Sequence, residues 1–156
     1  MKFSTREDIE VPQDAVFSAV SDFAGFERVA LRNKVELTRL DDLAAAGPGM
    51  TWRIRFNWRG KKRSLEAVLR EYDPPRAVRF TAESAGFRFE GGVTLVALSR
   101  KRTRLAVELD VRPKTMATRL MIQSMKLAKG SLSSRYEARV RAFAQRIEED
   151  YRSTVA

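Results

Sequence analysis

The 156-residue chain contains no cysteine and no histidine. Without cysteine there is no disulfide, no thiolate nucleophile and no Cys-based metal site. Without histidine the Ser-His-Asp and Cys-His arrangements are excluded, along with His-ligated zinc and the side chain best suited to moving protons near neutral pH. Any catalysis would fall to Asp, Glu, Lys, Tyr, Ser or Arg. Long apolar runs are missing as well. "VTLVAL" (Val93–Leu98) is short beside the roughly 20 residues of a membrane span. The opening "MKFSTREDIEVP" holds no apolar signal region, so a cytoplasmic location is expected.

A chain of this length fits one domain and can bury about 70% of its unfolded surface, enough for a core and a pocket. Its net charge of +10 is unevenly spread. Residues 1–50 carry six basic and nine acidic side chains, a balance of −3, so residues 51–156 carry +13. Arg53–Arg63 has six basic residues and no acid, Arg100–Arg104 reads "RKRTR", and Arg112–Arg146 sets nine basic residues against Glu137 alone. Such asymmetry suits anionic partners, whether nucleic acid, a lipid surface or an acidic protein.

Phe3, Thr5, Glu7, Ile9 and Val11 alternate with Lys2, Ser4, Arg6, Asp8 and Glu10, the pattern of a half-buried strand. Pro12 ends it and suits the first turn of a helix. "QDAVFSAVSDFAGFERVALR" predicts two short helices parted near Gly25, with Val16, Phe17 and Val20 as the apolar stripe of the first. Further strands are expected at Val35–Leu40, Trp52–Trp58, Arg63–Tyr72, Ala77–Ser84, Phe87–Leu98 and around Leu105–Val111. Turns fall at Gly47-Pro48-Gly49, Gly60-Lys61, Asp73–Arg76 and Ala85-Gly86, and Gly91-Gly92 suggests a bulge. Pro113 closes the sheet. From Thr115 to about Arg152 the spacing is helical, with Leu132, Tyr136, Val140, Phe143, Ile147 and Tyr151 in one stripe. Gly130 costs about 1 kcal/mol against Ala and predicts a kink there.

The expected fold is α+β: a seven-stranded antiparallel sheet curved around one long C-terminal helix, with two short helices between the first two strands. Residues 1–156 form a single domain, without repeats or linkers. A long curved sheet closing on one helix leaves volume between them.

This order of elements, with several local patterns, resembles the SRPBCC superfamily, the START-related and polyketide cyclase/dehydrase-like proteins of helix-grip fold. "IEVPQDAVFSAVSDFAGF" is similar to that family's first strand and opening helix, and "GMTWRIRF" to its third strand after a Gly-containing loop. "LREYDPPRAVRFTAES" is similar to its Pro-Pro hairpin, and "RTRLAVELDV" to its final strand. The resemblance covers nearly the whole chain. It implies an elongated, largely hydrophobic cavity between sheet and C-terminal helix, and members that cyclise or dehydrate polyketides or carry lipids, quinones or hormones. The chain departs from the pattern at "FERVALR", where the family often has an aromatic-Pro element, and no catalytic signature carries across.

The stretch "TWRIRFNWRG" (Thr51–Gly60) interleaves aromatics with arginines, as a stacking platform for nucleic acid would. Strand alternation decides against that. Trp52, Ile54, Phe56 and Trp58 point one way and Arg53, Arg55, Asn57 and Arg59 the other, so the rings face the core and the arginines face water. Nucleic acid is therefore disfavoured as a partner. Two tryptophans and a phenylalanine exceed the bulk of a simple core strand and suit a cavity wall.

Glu7 is the one charged residue on the inner face of the first strand. A carboxylate there is either a functional group or an ion-paired structural one, and the ion-paired reading is preferred, with an arginine or water at the sheet edge as partner. In "RPKTMATRLMIQSMKLAKG" (Arg112–Gly130), Met121, Ile122 and Met125 join the stripe of the later helix, whereas Met116, Leu120 and Leu127 gather on a nearly opposite side. Unbranched methionine adapts to irregular partners. The segment suits a cavity mouth, an anionic membrane surface, a buried helix end or a dimer contact. The basic clusters at Arg59–Arg63 and Arg100–Arg104 are expected in solvated hairpin turns.

The leading expectation is a binding module for a hydrophobic or amphipathic small molecule, lipid-, quinone- or polyketide-like. Trp52, Ile54, Phe56, Trp58, Phe80, Phe89, Val107, Leu109, Met121 and Met125 would line its cavity, with Thr5 and Glu7 as inward polar anchors. The alternatives are a cyclase or dehydratase in the same cavity, with Glu7 or a tyrosine moving protons, and a basic module binding an anionic membrane surface. No cofactor or metal is expected.

Overall fold

The computed structural model describes residues 1–155. Alternating apolar and polar side chains build seven strands: β1 (Lys2–Ile9), β2 (Glu36–Arg39), β3 (Thr51–Trp58), β4 (Lys61–Asp73), β5 (Ala77–Glu83), β6 (Phe87–Ser99) and β7 (Arg102–Pro113). They form one antiparallel sheet in the order β1-β7-β6-β5-β4-β3-β2. From β2 to β7 it is a meander. β1 closes the other edge by pairing with β7, from Lys2 opposite Asp110 to Ile9 opposite Thr103. Helices α1 (Gln13–Val20) and α2 (Phe23–Arg32) lie between β1 and β2, and α3 (Met116–Lys126) and α4 (Lys129–Val155) follow β7. This is the helix-grip arrangement that the pattern implied.

The core lies where α1 and α4 meet the sheet. Ile9, Leu69, Val78, Leu95 and Leu105 from the strands pack with Val16, Phe17 and Val20 of α1 and Val140, Ala144 and Ile147 of α4. The fully buried Thr103 fits there because its Oγ1 donates to the Val11 carbonyl at 2.7 Å. Among the described residues no helix is long and apolar enough to cross a membrane.

Three local expectations need correction. The first two helices part at Ser21-Asp22, not at Gly25. Asp22 caps α2 by accepting from the Gly25 N–H at 3.1 Å, and a Cβ at Gly25 would collide with that carboxylate. The C-terminal helix divides at Leu127-Ala128 rather than kinking at Gly130. There Leu127 N–H donates to Ser124 O and Ala128 N–H to Met125 O, an i→i+3 tightening that breaks the α-helical ladder. Gly91-Gly92 is no bulge, since both residues keep regular register with β5 and β7. The irregularities fall at Leu69/Glu71 in β4 and Ala97/Ser99 in β6.

Candidate ligand-binding cavity

The β3–β4 hairpin turns through Arg59 and Gly60, whose φ values of 51° and 73° give the two-residue turn that matches strand twist. It sets Phe56 opposite Arg63 and Ile54 opposite Leu65, all on the inner face. Inner side chains then become small across the middle strands. Ala67 pairs with Ala82, and Phe80 with Gly91. A Cβ on Gly91 would lie 2.9 Å from the Glu108 carbonyl oxygen, so this position stays bare. Nearer the β3–β4 hairpin the inner face carries larger apolar groups: Phe56 and Trp58 of β3, Phe87 and Phe89 of β6, and Val111 of β7.

Helix α3 roofs this end of the sheet. Its entry is pinned where Lys114 N–H donates to Gly86 O (2.8 Å) and Lys114 Nζ donates to Ser84 O (3.0 Å). Thr115 and Thr118 then close a reciprocal capping box. At Gly86 a Cβ would meet Thr118 Cγ2 at 2.5 Å, so the β5–β6 turn approaches the helix this closely only as glycine. Thr118, Met121 and Met125 consequently face the sheet across a half-open hollow of about 540 Å³. That lies within the roughly 300–1,000 Å³ of small-molecule sites. Its polar side chains are Arg63, Ser84 and Thr118, whereas Lys62 and Ser64 border it from β4 but share the outward face of Asn57 and Arg55, and among the described residues no carboxylate lines it.

Exposure rises along β3, from 6% at Trp52 to 37% at Trp58. At the open end, the guanidinium groups of Arg59 and Arg63 sit 4.6 and 5.3 Å from the Trp58 ring centroid. Arg63 Nε is buried and has no hydrogen-bond partner among the described residues. A smaller hollow of about 220 Å³ lies under α2, lined by Phe23, Phe26, Glu27, Leu37, Trp52, Ile54, Ala67 and Phe80. There Trp52 Nε1–H donates to Glu27 Oε1 at 3.0 Å. Among the described residues, no three Asp, Glu, His or Cys side chains gather as a metal site would require.

Residues 1–148 match the family model described as polyketide cyclase/dehydrase and lipid transport. The chain belongs to that family. Several solved structures share the fold of this chain. The Zhui aromatase/cyclase from a Streptomyces species is 13% identical, with a TM-score of 0.70 over 99% of this chain and 97% of its own. The TTHA0849 protein of Thermus thermophilus is 19% identical, with a TM-score of 0.67 over 94% and 97%. A START superfamily protein from Mycobacterium smegmatis is 18% identical, with a TM-score of 0.57 over 86% and 95%. At these identities the likeness is one of fold. None of the curated proteins matches the chain.

Within this family member the expected site residues divide into three groups. Phe56, Trp58, Phe89, Met121 and Met125 line the larger hollow, and Trp52, Ile54 and Phe80 the smaller one. Thr5, Glu7, Val107 and Leu109 line neither. Glu7 pairs with Arg141 of α4 at 3.4 Å, the ion-paired arrangement preferred for it, where α4 covers β1. The larger hollow also lies against the short α3, not against the long C-terminal helix. Tyr136 Oη is buried beside Phe3 without a hydrogen-bond partner among the described residues, and burial, reinforced by the Glu108 charge, raises its pKa above the usual phenol value.

Sequence reasoning missed Arg63, Leu65, Phe87, Val111 and Thr118 as cavity residues. For Arg63 the signal was present. It shares parity with Leu65, Ala67 and Leu69 on an inward-facing strand, but the basic run around it reads as a solvated turn.

Proposed function

We propose that this protein binds a hydrophobic or amphipathic small molecule in the hollow between α3 and the sheet. The observation that carries this reading is the hollow itself: about 540 Å³ walled by Phe56, Trp58, Phe87, Phe89, Met121 and Met125, with no carboxylate among the described residues of its lining. Burying an apolar ligand against such walls is favourable by about 25 cal/mol per Å². Unbranched methionines let the roof adjust to the occupant. The test fills the space without hollowing the core. Met121→Trp should abolish binding of the neutral dye phenylnaphthylamine, read by its fluorescence, and leave the thermal unfolding midpoint within a few degrees. Undiminished dye binding in that variant would sink the assignment.

A second reading has its own observation. On the outer side of α3, Met116 and Leu120 are exposed and Leu127 is 92% exposed, with Arg119, Lys126 and Lys129 close by in sequence. Apolar and basic side chains together suit docking at an anionic membrane surface, which would place the mouth of the hollow near a lipid source.

A further inference from the structure

Among the side chains of the larger hollow, Arg63 is out of keeping with its surroundings. It stands on the inner face of β4 opposite Phe56, where its neighbours along the strand are Leu65 and Ala67. Several arginines elsewhere on the sheet meet carboxylates: Arg104 with Asp8 at 2.8 Å, Arg88 with Glu83 at 2.8 Å, Arg53 with Glu66 at 3.8 Å. Arg63 meets none among the described residues, and its Nε–H is buried without an acceptor. A buried donor left unpaired costs about 1–3 kcal/mol, more when the group is charged. The guanidinium is nevertheless held in place over the Trp58 ring, which Arg59 also covers.

We propose that the occupant is an anionic amphiphile whose carboxylate or phosphate head is taken by Arg63, with its apolar body against Phe87, Phe89, Met121 and Met125. This inference rests on the binding function proposed above and names the ligand class. A guanidinium presents a planar fork that matches both acid groups bidentately. Contact with Trp58 fixes that fork before the ligand arrives, which lowers the ordering cost of binding. Among the described residues no carboxylate lines the hollow, so none there repels an acid. One end of the site is thus cationic and the rest apolar.

Matched probes test the head group separately from the tail. Dodecanoate, dodecyl phosphate and the neutral dodecanol would be titrated below their micelle concentrations by displacement of phenylnaphthylamine, at about pH 8 where both heads are ionised. The wild type is expected to bind either acid about tenfold to a hundredfold more tightly than the alcohol, the range of a charge-assisted hydrogen bond. The stronger of the two acids identifies the head as carboxylate or phosphate. Arg63→Gln should bring both acids down to the alcohol's affinity, and Arg63→Lys should keep part of the preference. Arg100→Gln, which removes one charge at the opposite end of the sheet, should change nothing. Equal binding of acid and alcohol by the wild type overturns the anionic head while leaving the hollow as a binding site. An acid preference that survives in folded Arg63→Gln, or is lost in Arg100→Gln, assigns it to general surface charge and overturns the role of Arg63. If no probe binds, the binding function falls and this inference with it.

Discussion

At the scale of single residues, contacts between a glycine and a methyl group set the height of the roof. Gly86 approaches Thr118 so closely that an added Cβ would stand 2.5 Å from Cγ2, and its backbone lies outside the left-handed region. Gly86→Ala therefore fails sterically, not conformationally. Overpacking of this kind costs about 1–3 kcal/mol. Denaturant unfolding should show that loss, and Thr118→Ser in the same chain should restore most of it, because serine drops the methyl yet keeps the capping oxygen. If the double variant is no more stable than Gly86→Ala alone, the roof is not positioned by this contact. Arg63 shows what parity can reveal: one residue's step along β4 decides whether a guanidinium meets water or an apolar wall.

At the scale of elements, α3 is poorly anchored beside α4. Ile122 alone of its side chains is buried, whereas α4 buries Val140, Ala144 and Ile147. Its outer side is where membrane docking is to be measured. Co-sedimentation with vesicles rich in phosphatidylserine should exceed that with phosphatidylcholine and fall steeply as salt is raised. Leu120→Ser with Leu127→Ser should lower it about tenfold, each leucine removing apolar area from the contact. Binding indifferent to salt and to both substitutions would leave that surface without this role.

The strands were legible in the sequence because burial on one face writes a period of two, and all seven lie within a few residues of where that period puts them. The helix division at Leu127-Ala128 was not legible, since neither residue is a breaker and the tightening comes from i→i+3 bonding. The hollow was only half legible. Its walls carry large side chains that stand out singly, but its volume depends on how far α3 stands off the sheet at the contact of Gly86 with Thr118, which no local pattern shows.

At the scale of the whole molecule, arginine–carboxylate pairing ties stability to acid pH. Arg104 lowers the pKa of Asp8 by a side-chain hydrogen bond, Arg88 does the same for Glu83, and Asp41 is lowered by Arg39 and by the Thr51 N–H. Each group favours its ionised form more when folded than when unfolded. Its contribution is complete above the unfolded values, about 4, and disappears as pH falls through the lower folded ones. The unfolding midpoint should accordingly stay level between about pH 6 and 8, where a chain without histidine has no side chain of ordinary pKa to titrate, and drop below about pH 4. Asp41→Asn should be destabilising at neutral pH and clearly less so at about pH 2, partway through the loss of that contribution. A penalty of equal size at both would show that the carboxylate's charge is not what matters.

Synthesis of the chain meets the pairing of β1 with β7. Lys2–Ile9 is translated about a hundred residues ahead of its only strand partner, Arg102–Pro113. At roughly 5–20 residues per second, the first strand waits on the order of 5–20 seconds with Phe3 and Ile9 unpaired. The hairpins from β3 to β7 close between near neighbours in sequence, so the early chain assembles as a meander whose β7 edge still awaits β1. Completion of that edge is the step at which a nascent chain is most exposed to strand exchange with another copy, and to any chaperone that holds the first strand apart.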